Sequence, residues 1–187
     1  LAGAAIGLPR PRTALIAAVI VVAYGLLTEP EKVVLRRLAV FVGGWSIEAA
    51  EVICAGEAPE VRIESADVLD LLLRLVDRSL VVAEAASRED RYRLLETVRD
   101  YALEKLAESG EGESVCDRHR DQYVRFAELA EQKLFGPDAG RVLERLDAEH
   151  ANLRAAHERC LDTDGESGLR LSSSMLWYWN KRGRHTE

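Results

Sequence analysis

The sequence predicts a mainly α fold: three helices closed by a β-hairpin, followed by further antiparallel helices. Three observations predict it. Residues 28–79 hold three stretches with apolar residues three and four apart, each opened by a capping residue. Residues 80–94 change to two short apolar strands around a polar turn. From Gly112 to the end the helical period returns, interrupted near Gly136-Pro137 and again between Gly165 and Gly168.

Taken in order, residues 1–27 pair Pro9-Arg10-Pro11-Arg12 with an apolar run over 14–27. The run is shorter than the about 20 residues a bilayer-crossing helix needs, and no small-residue cleavage site follows it. It reads as an apolar, buried N-terminal helix, with no membrane expected. Thr28-Glu29-Pro30-Glu31 is a helix start, with a capping threonine, an early proline and a glutamate three residues on. Val34, Leu35, Leu38 and Phe41 mark its buried stripe, and Gly43-Gly44 stops it. Trp45-Ser46 opens a second helix, with Ser46 as its cap and Ile47, Ala50 and Ile53 inward. After a polar loop over 56–64, Ser65 caps a third helix whose core is Val68, Leu69, Leu72, Leu75 and Val76. Residues 80–83 form a strand, 85–90 a turn and 92–94 the return strand. The chain then switches period at once. Leu95, Val98, Ala102 and Leu106 form a helical stripe, with Glu96 in the first turn and Arg99 on the wet side.

Composition bounds the function. Lys and Arg total 25 against 32 Asp and Glu, a net charge of -7 that repels a phosphate backbone unless basic residues are segregated on one face. Three scattered cysteines suggest a reducing compartment and no disulfide framework, so the expected location is cytoplasmic. The chain begins at Leu1 rather than Met, as a piece of a longer protein would.

Three helices and a hairpin make the winged-helix arrangement, in which the third helix commonly enters the DNA major groove. Here that helix carries Arg74 and Arg78 against Asp67, Asp70 and Asp77, and its middle is leucine-rich. It has few side chains able to reach base edges. In the wing, Arg88, Arg91 and Arg93 are offset by Glu84, Glu89 and Asp90. Arg74, Arg78, Arg88, Arg91 and Arg93 are thus the candidate DNA contacts, and a protein-contacting winged helix is the better expectation.

The motifs Leu35-Arg36-Arg37-Leu38-Ala39-Val40-Phe41-Val42-Gly43-Gly44-Trp45, then LLRLVDRSL ending at Leu80, then residues 92–106, resemble a particular region of the bacterial STAND (NB-ARC-like) predicted ATPases. That region follows the nucleotide-binding core, in proteins that include LuxR-type transcriptional regulators. The resemblance spans about residues 24–187. It implies a winged helix over 28–110 that packs on an upstream ATPase domain in cis, and a TPR-like helical region over 111–187 that receives a protein or small-molecule signal. Bound ATP or ADP would belong to that upstream domain. The family senses nucleotide through a Met-His-Asp motif on the winged helix. The matching positions are Leu94, Leu95 and Glu96, with Arg99 following. Leu95 replaces the histidine and cannot donate a hydrogen bond to a phosphate, so it reads as core packing. Only Tyr24, Leu26 and Leu27 keep the family pattern before residue 28, and no G-x-x-x-x-G-K-[ST] loop occurs in the chain.

Gly110-Glu111-Gly112 reads as a hinge. Beyond it Val115, His119, Tyr123, Phe126, Ala127, Leu129 and Ala130 form an inward stripe. Val142, Leu143 and Leu146, then Ala151, Leu153, Ala155 and Ala156, continue it, and Gly165 to Gly168 ends that element. Leu169, Leu171, Met175, Leu176, Trp177 and Trp179 close the chain, and the helical stack reads as truncated. Cys116 with His119, and His150 with His157, fall short of the four convergent ligands of a zinc site. Trp177-Tyr178-Trp179 beside Lys181, Arg182 and Arg184 could stack bases, but reads better as a repeat helix with a solvated turn. No general acid, base or nucleophile motif is present. The expectation is a non-catalytic regulatory segment. The alternative is a free-standing winged-helix DNA-binding regulator, disfavoured by charge.

Overall fold

The structure, a computed structural model, describes residues 11–84 and 90–183. Arg88, most of the expected wing turn, Arg10 and Arg184 lie outside the described residues. The elements run α1 (Pro11–Gly25), α2 (Glu29–Leu38), β1 (Gly44–Ser46), α3 (Ile47–Cys54), a short 3-10 turn (Ser65–Asp67), and α4 (Val68–Asp77). Then come β2 (Val81–Glu84), β3 (Arg91–Leu94), α5 (Glu96–Ser109), α6 (Gly112–Lys133), α7 (Ala139–Ala148), α8 (His150–Thr163) and α9 (Gly165–Arg182). The fold is mainly α: a winged-helix region with a small antiparallel sheet, then packed helices.

Two of the three start signals in the first half do what their chemistry requires; Ser65 does not cap α4, because it lies inside the 3-10 turn and Asp67 precedes the helix without a side-chain cap. The Glu31 carboxylate accepts the Thr28 backbone N–H at 2.7 Å, closing the capping box of α2. Ser46 accepts from Ala49 N at the start of α3. α2 is the central helix: Val33, Val34, Leu35 and Leu38 are all fully buried, with α3, α4 and α5 packed around it. α4 adds Val68, Leu71, Leu72 and Leu75 to the same core, and α5 adds Val98, Ala102 and Leu106.

The sheet differs from the expected two-stranded hairpin. Its order is β1-β3-β2, all antiparallel, with Trp45 opposite Tyr92 and Val82 opposite Arg93. Trp45 therefore lies within a strand rather than opening a helix. Gly43 makes the approach to β1 with φ +88, a left-handed conformation that favours glycine. In Gly44 the absent Cβ leaves room for the Tyr92 carbonyl, which would lie 3.1 Å from it.

Three further expectations are corrected. Leu95 is not in the core: it sits between β3 and α5 and is 43% exposed, because the period switches one residue later than the apolar pattern implied. Arg99 is not on the wet side: its Nε donates to the Phe41 carbonyl at 2.8 Å. The segment 110–112 is no free hinge, since Glu111 is held by two arginines of α2.

In the second half, α6, α8 and α9 pack on one another, and α7 bridges back to α6 and α8. Gly165 begins α9 rather than ending the previous element. Asp164 caps α9 by accepting from Ser167 N, and its carboxyl is held below the usual range by the Ser167 hydroxyl and amide. Leu171, Met175 and Tyr178 face inward, Leu169, Leu176 and Trp177 are exposed, and Leu129 is exposed contrary to its expected inward place. No helix among the described residues is long and apolar enough to cross a membrane.

Candidate functional site: the third-helix face and the clamp behind it

The outward face of α4 is where a winged helix would meet a partner. Its charged residues are Asp70, Arg74 and Asp77, and beside them Leu69, expected in the core, and Leu73 lie 41% and 46% exposed. These leucines are four apart and share a face. The face is apolar and acidic where base reading calls for Arg, Lys, Asn or Gln.

The described arginines of the candidate DNA set are each engaged by a carboxylate. Arg74 Nη2 lies 2.6 Å from Asp70, one turn back on α4. Arg78 reaches back to buried Glu31 at 3.6 Å and to the Leu26 carbonyl. Arg93 pairs with Glu84 across the hairpin. Arg91 leaves the wing altogether: Nη1 donates to Glu149 at 2.6 Å and Nη2 to the Ala148 carbonyl, at the α7–α8 joint.

Arg91 belongs to a buried polar network that joins the sheet to the second half. Asn152, fully buried on α8, accepts from Val42 N at 2.7 Å and donates to the Gly44 carbonyl at 2.9 Å and to Glu149 at 2.8 Å. The Tyr123 hydroxyl donates to the same Glu149 carboxylate at 2.7 Å, and burial raises that phenol's pKa well above its ordinary value. His119 sits 3.4 Å from Asn152 Oδ1 and packs against Phe41, which stacks on Trp45. Burial, together with nearby Arg99, pushes the imidazole down to about 4, so it is neutral near pH 7.

A second clamp joins α2 to the entry of α6 and the end of α3. Arg37 is fully buried, bonds the Glu111 carboxylate at 2.8 Å, and donates to the Cys54 carbonyl at 2.6 Å and to the Glu57 carbonyl. Arg36 bridges Glu111 and Glu60 at 2.9 and 2.7 Å. Arg118 of α6 donates to the Ala55 carbonyl. The C-terminal end of α3 thus receives two guanidinium groups, the sign that a helix dipole favours there. Burial pushes the Glu111 carboxyl up, but hydrogen bonds from Arg37 and Arg36 bring it below its ordinary value. Arg36 and Arg37 stood within the motif as sequence, yet their role was invisible without Glu111. The one available signal was a charged doublet inside an otherwise apolar helix.

The nucleotide-sensor positions are split by the strand-to-helix joint. Leu94 is buried at the end of β3, Leu95 and Glu96 are exposed, and Arg99 is turned inward to Phe41. The aromatic run near the C-terminus does not present one stacking platform. Tyr178 is buried and donates to Asp147 at 2.8 Å, while Trp177 packs edge-on against Phe135. Among the described residues no group of His, Cys, Asp and Glu is placed to hold a metal ion. Cys54 is packed in the core, and burial pushes its thiol up to about 12.

Comparison with known proteins decides the first half. Residues 27–107 match the family model of the winged helix-turn-helix domain. This segment is a winged helix-turn-helix domain. The chain is similar to a Mycobacterium tuberculosis protein provisionally named an HTH-type transcriptional regulator, 42% identical over 165 residues. A Mycobacterium bovis protein with the same provisional name matches equally. That alignment covers 88% of this chain but only 18% of the relative, so the chain spans under a fifth of these proteins. An uncharacterized M. tuberculosis protein is also 42% identical, over 119 residues, covering 64% of this chain and 29% of that protein. No solved structure matches the chain. In the winged helix-turn-helix domain, β1 and β3 are held by the α6–α8 network, and α4 presents Leu69 and Leu73 outward.

Proposed function

We propose that the chain is a non-catalytic regulatory module of a larger transcriptional regulator, and that its winged helix docks on another domain in cis instead of reading DNA. One observation carries this reading: the outward face of α4 offers Leu69 and Leu73 to a partner, and the charges beside them are Asp70 and Asp77 against a single Arg74. The reading is supported further by the relatives, which are more than five times the aligned length.

The partner on that reading is a nucleotide-binding domain of the STAND type, which holds ATP or ADP. The helical region over 111–187 takes the protein or small-molecule signal. A signal acts by favouring one of two arrangements of the winged helix on that domain, which requires different contacts in each. Leu95 and Glu96, exposed at the joint, are placed to make such contacts, whereas a leucine cannot sense phosphate itself.

The second reading, DNA binding, is favoured by the winged helix-turn-helix match and by the relatives' provisional name. The discriminating experiment supplies the rest of the M. tuberculosis relative in trans and measures association by size-exclusion chromatography with ATP or ADP present. Association is expected to depend on which nucleotide is bound, and to be lost in the Leu69→Glu, Leu73→Glu variant, which folds normally because both leucines are outward. No association under either nucleotide contradicts the proposal.

A further inference from the structure

A groove of about 420 Å³ runs between α8 and α9, on a part of the molecule that the docking face does not involve. Its volume falls within the range of small-molecule sites, about 300–1,000 Å³. His157 meets Ser172 at 2.9 Å near one end, and the His150 ring faces Tyr178 near the other, so the two helices run antiparallel along it. The floor is apolar: Leu153, Leu171 and Met175 are buried there, and half-buried Trp179 closes the α9 side. The α8 side is polar. His150, Arg154 and His157 recur at spacings of four and three and line the same groove.

Arg154 is the residue that selects a ligand. Its Nε donates to Glu158 at 3.1 Å, an exposed pair one turn apart. Such pairs contribute little to stability, so a competing anion displaces this one at small cost. Its two terminal nitrogens have no partner among the described residues. They present the forked edge that binds a carboxylate with two parallel hydrogen bonds. Glu158 is the carboxylate lining the groove, and it is already paired with Arg154.

We infer that the α8–α9 groove binds a small aromatic or branched apolar carboxylic acid, its apolar body on Leu171, Met175 and Trp179 and its carboxylate on Arg154. The combination of a dry floor, one aromatic wall and one open guanidinium edge fits such a molecule better than a fully polar or fully apolar one. The inference is independent of the docking reading, since it concerns neither α4 nor the wing.

The test titrates 2-naphthoate and neutral 2-naphthamide into the 187-residue chain, with calorimetry and with ¹H–¹⁵N NMR to locate the perturbed residues. Expected are saturable 1:1 binding of naphthoate, shifts confined to α8 and α9, and about tenfold weaker binding of the amide. Arg154→Gln weakens naphthoate by a similar factor and leaves the amide unchanged. Met175→Trp fills the floor; in case it perturbs folding, Arg154→Gln on the exposed surface keeps the question answerable. Naphthoate and naphthamide binding equally overturns the assignment of a carboxylate. Shifts at the exposed α1 leucine and valines instead of α8–α9 overturn the site. So does saturable seating of an acidic amphipathic helical peptide in the groove with no naphthoate binding, which makes it a helix-docking groove.

Discussion

Asn152 holds together two halves of the chain with one amide. Its Oδ1 takes the Val42 N–H, and its Nδ2 serves the Gly44 carbonyl and Glu149. All of this is buried, so truncation leaves a backbone donor and acceptor without partners. Asn152→Ala should therefore cost about 3 kcal/mol of unfolding free energy, read from urea denaturation. His119, next to it, gives a pH signature. In the unfolded chain the imidazole takes up a proton near 6.5, but in the folded chain it resists until about 4. Between those values the unfolded state binds more protons, so stability is full above about 6.5 and falls as pH drops toward 4, by on the order of 3 kcal/mol. Glu111, whose carboxyl is held low by Arg37 and Arg36, loses its contribution only below its ordinary value of 4.5, a separate window. His119→Phe should flatten the slope between pH 6.5 and 4.5 in a urea series, and an unchanged slope contradicts the assignment.

At the scale of elements, the helices are fixed to one another by charge as well as by apolar packing. Glu111, at the entry to α6, neutralises both Arg36 and Arg37 of α2. Glu111→Gln leaves a fully buried guanidinium without its counterion and should destabilise by about 3–5 kcal/mol, measured by chemical denaturation. Arg74→Ala, which breaks an exposed pair within α4, should change stability by less than about 0.5 kcal/mol in the same measurement. These contrasts also explain what could be read in advance. The starts of α2 and α3 were legible because capping is local: Thr28, Glu31 and Ser46 carry their own signal. β1 was not, because three residues are too few to show alternation and their partners, Arg91 to Arg93, lie far along the chain. Leu95 was misjudged because a leucine at helical spacing looks inward until the joint before it is known. Asn152 and Glu149 carried no signal in the sequence, because their partners come from the β1 approach, β1, β3 and α6.

For the whole molecule, charge and connectivity point the same way. The winged helix-turn-helix domain is fastened to α6–α8 on two sides, through the Asn152–Glu149 network and through Glu111 and Arg118. The sheet and α2 are thus each tied to the helical region by buried or half-buried polar contacts. What the domain keeps free is the α4 face with Leu69 and Leu73, together with the joint at Leu95 and Glu96. The net charge of the whole chain, -7, leaves little to attract a phosphate backbone. The most direct test is fluorescence anisotropy of a labelled duplex of about 20 base pairs titrated with the whole chain at about 50 mM salt, where phosphate contacts are strongest. The account predicts no saturation at protein concentrations up to about 100 μM, the weak end of the usual range of non-specific binding by DNA-binding proteins. Micromolar binding that weakens steeply as salt is raised would contradict it.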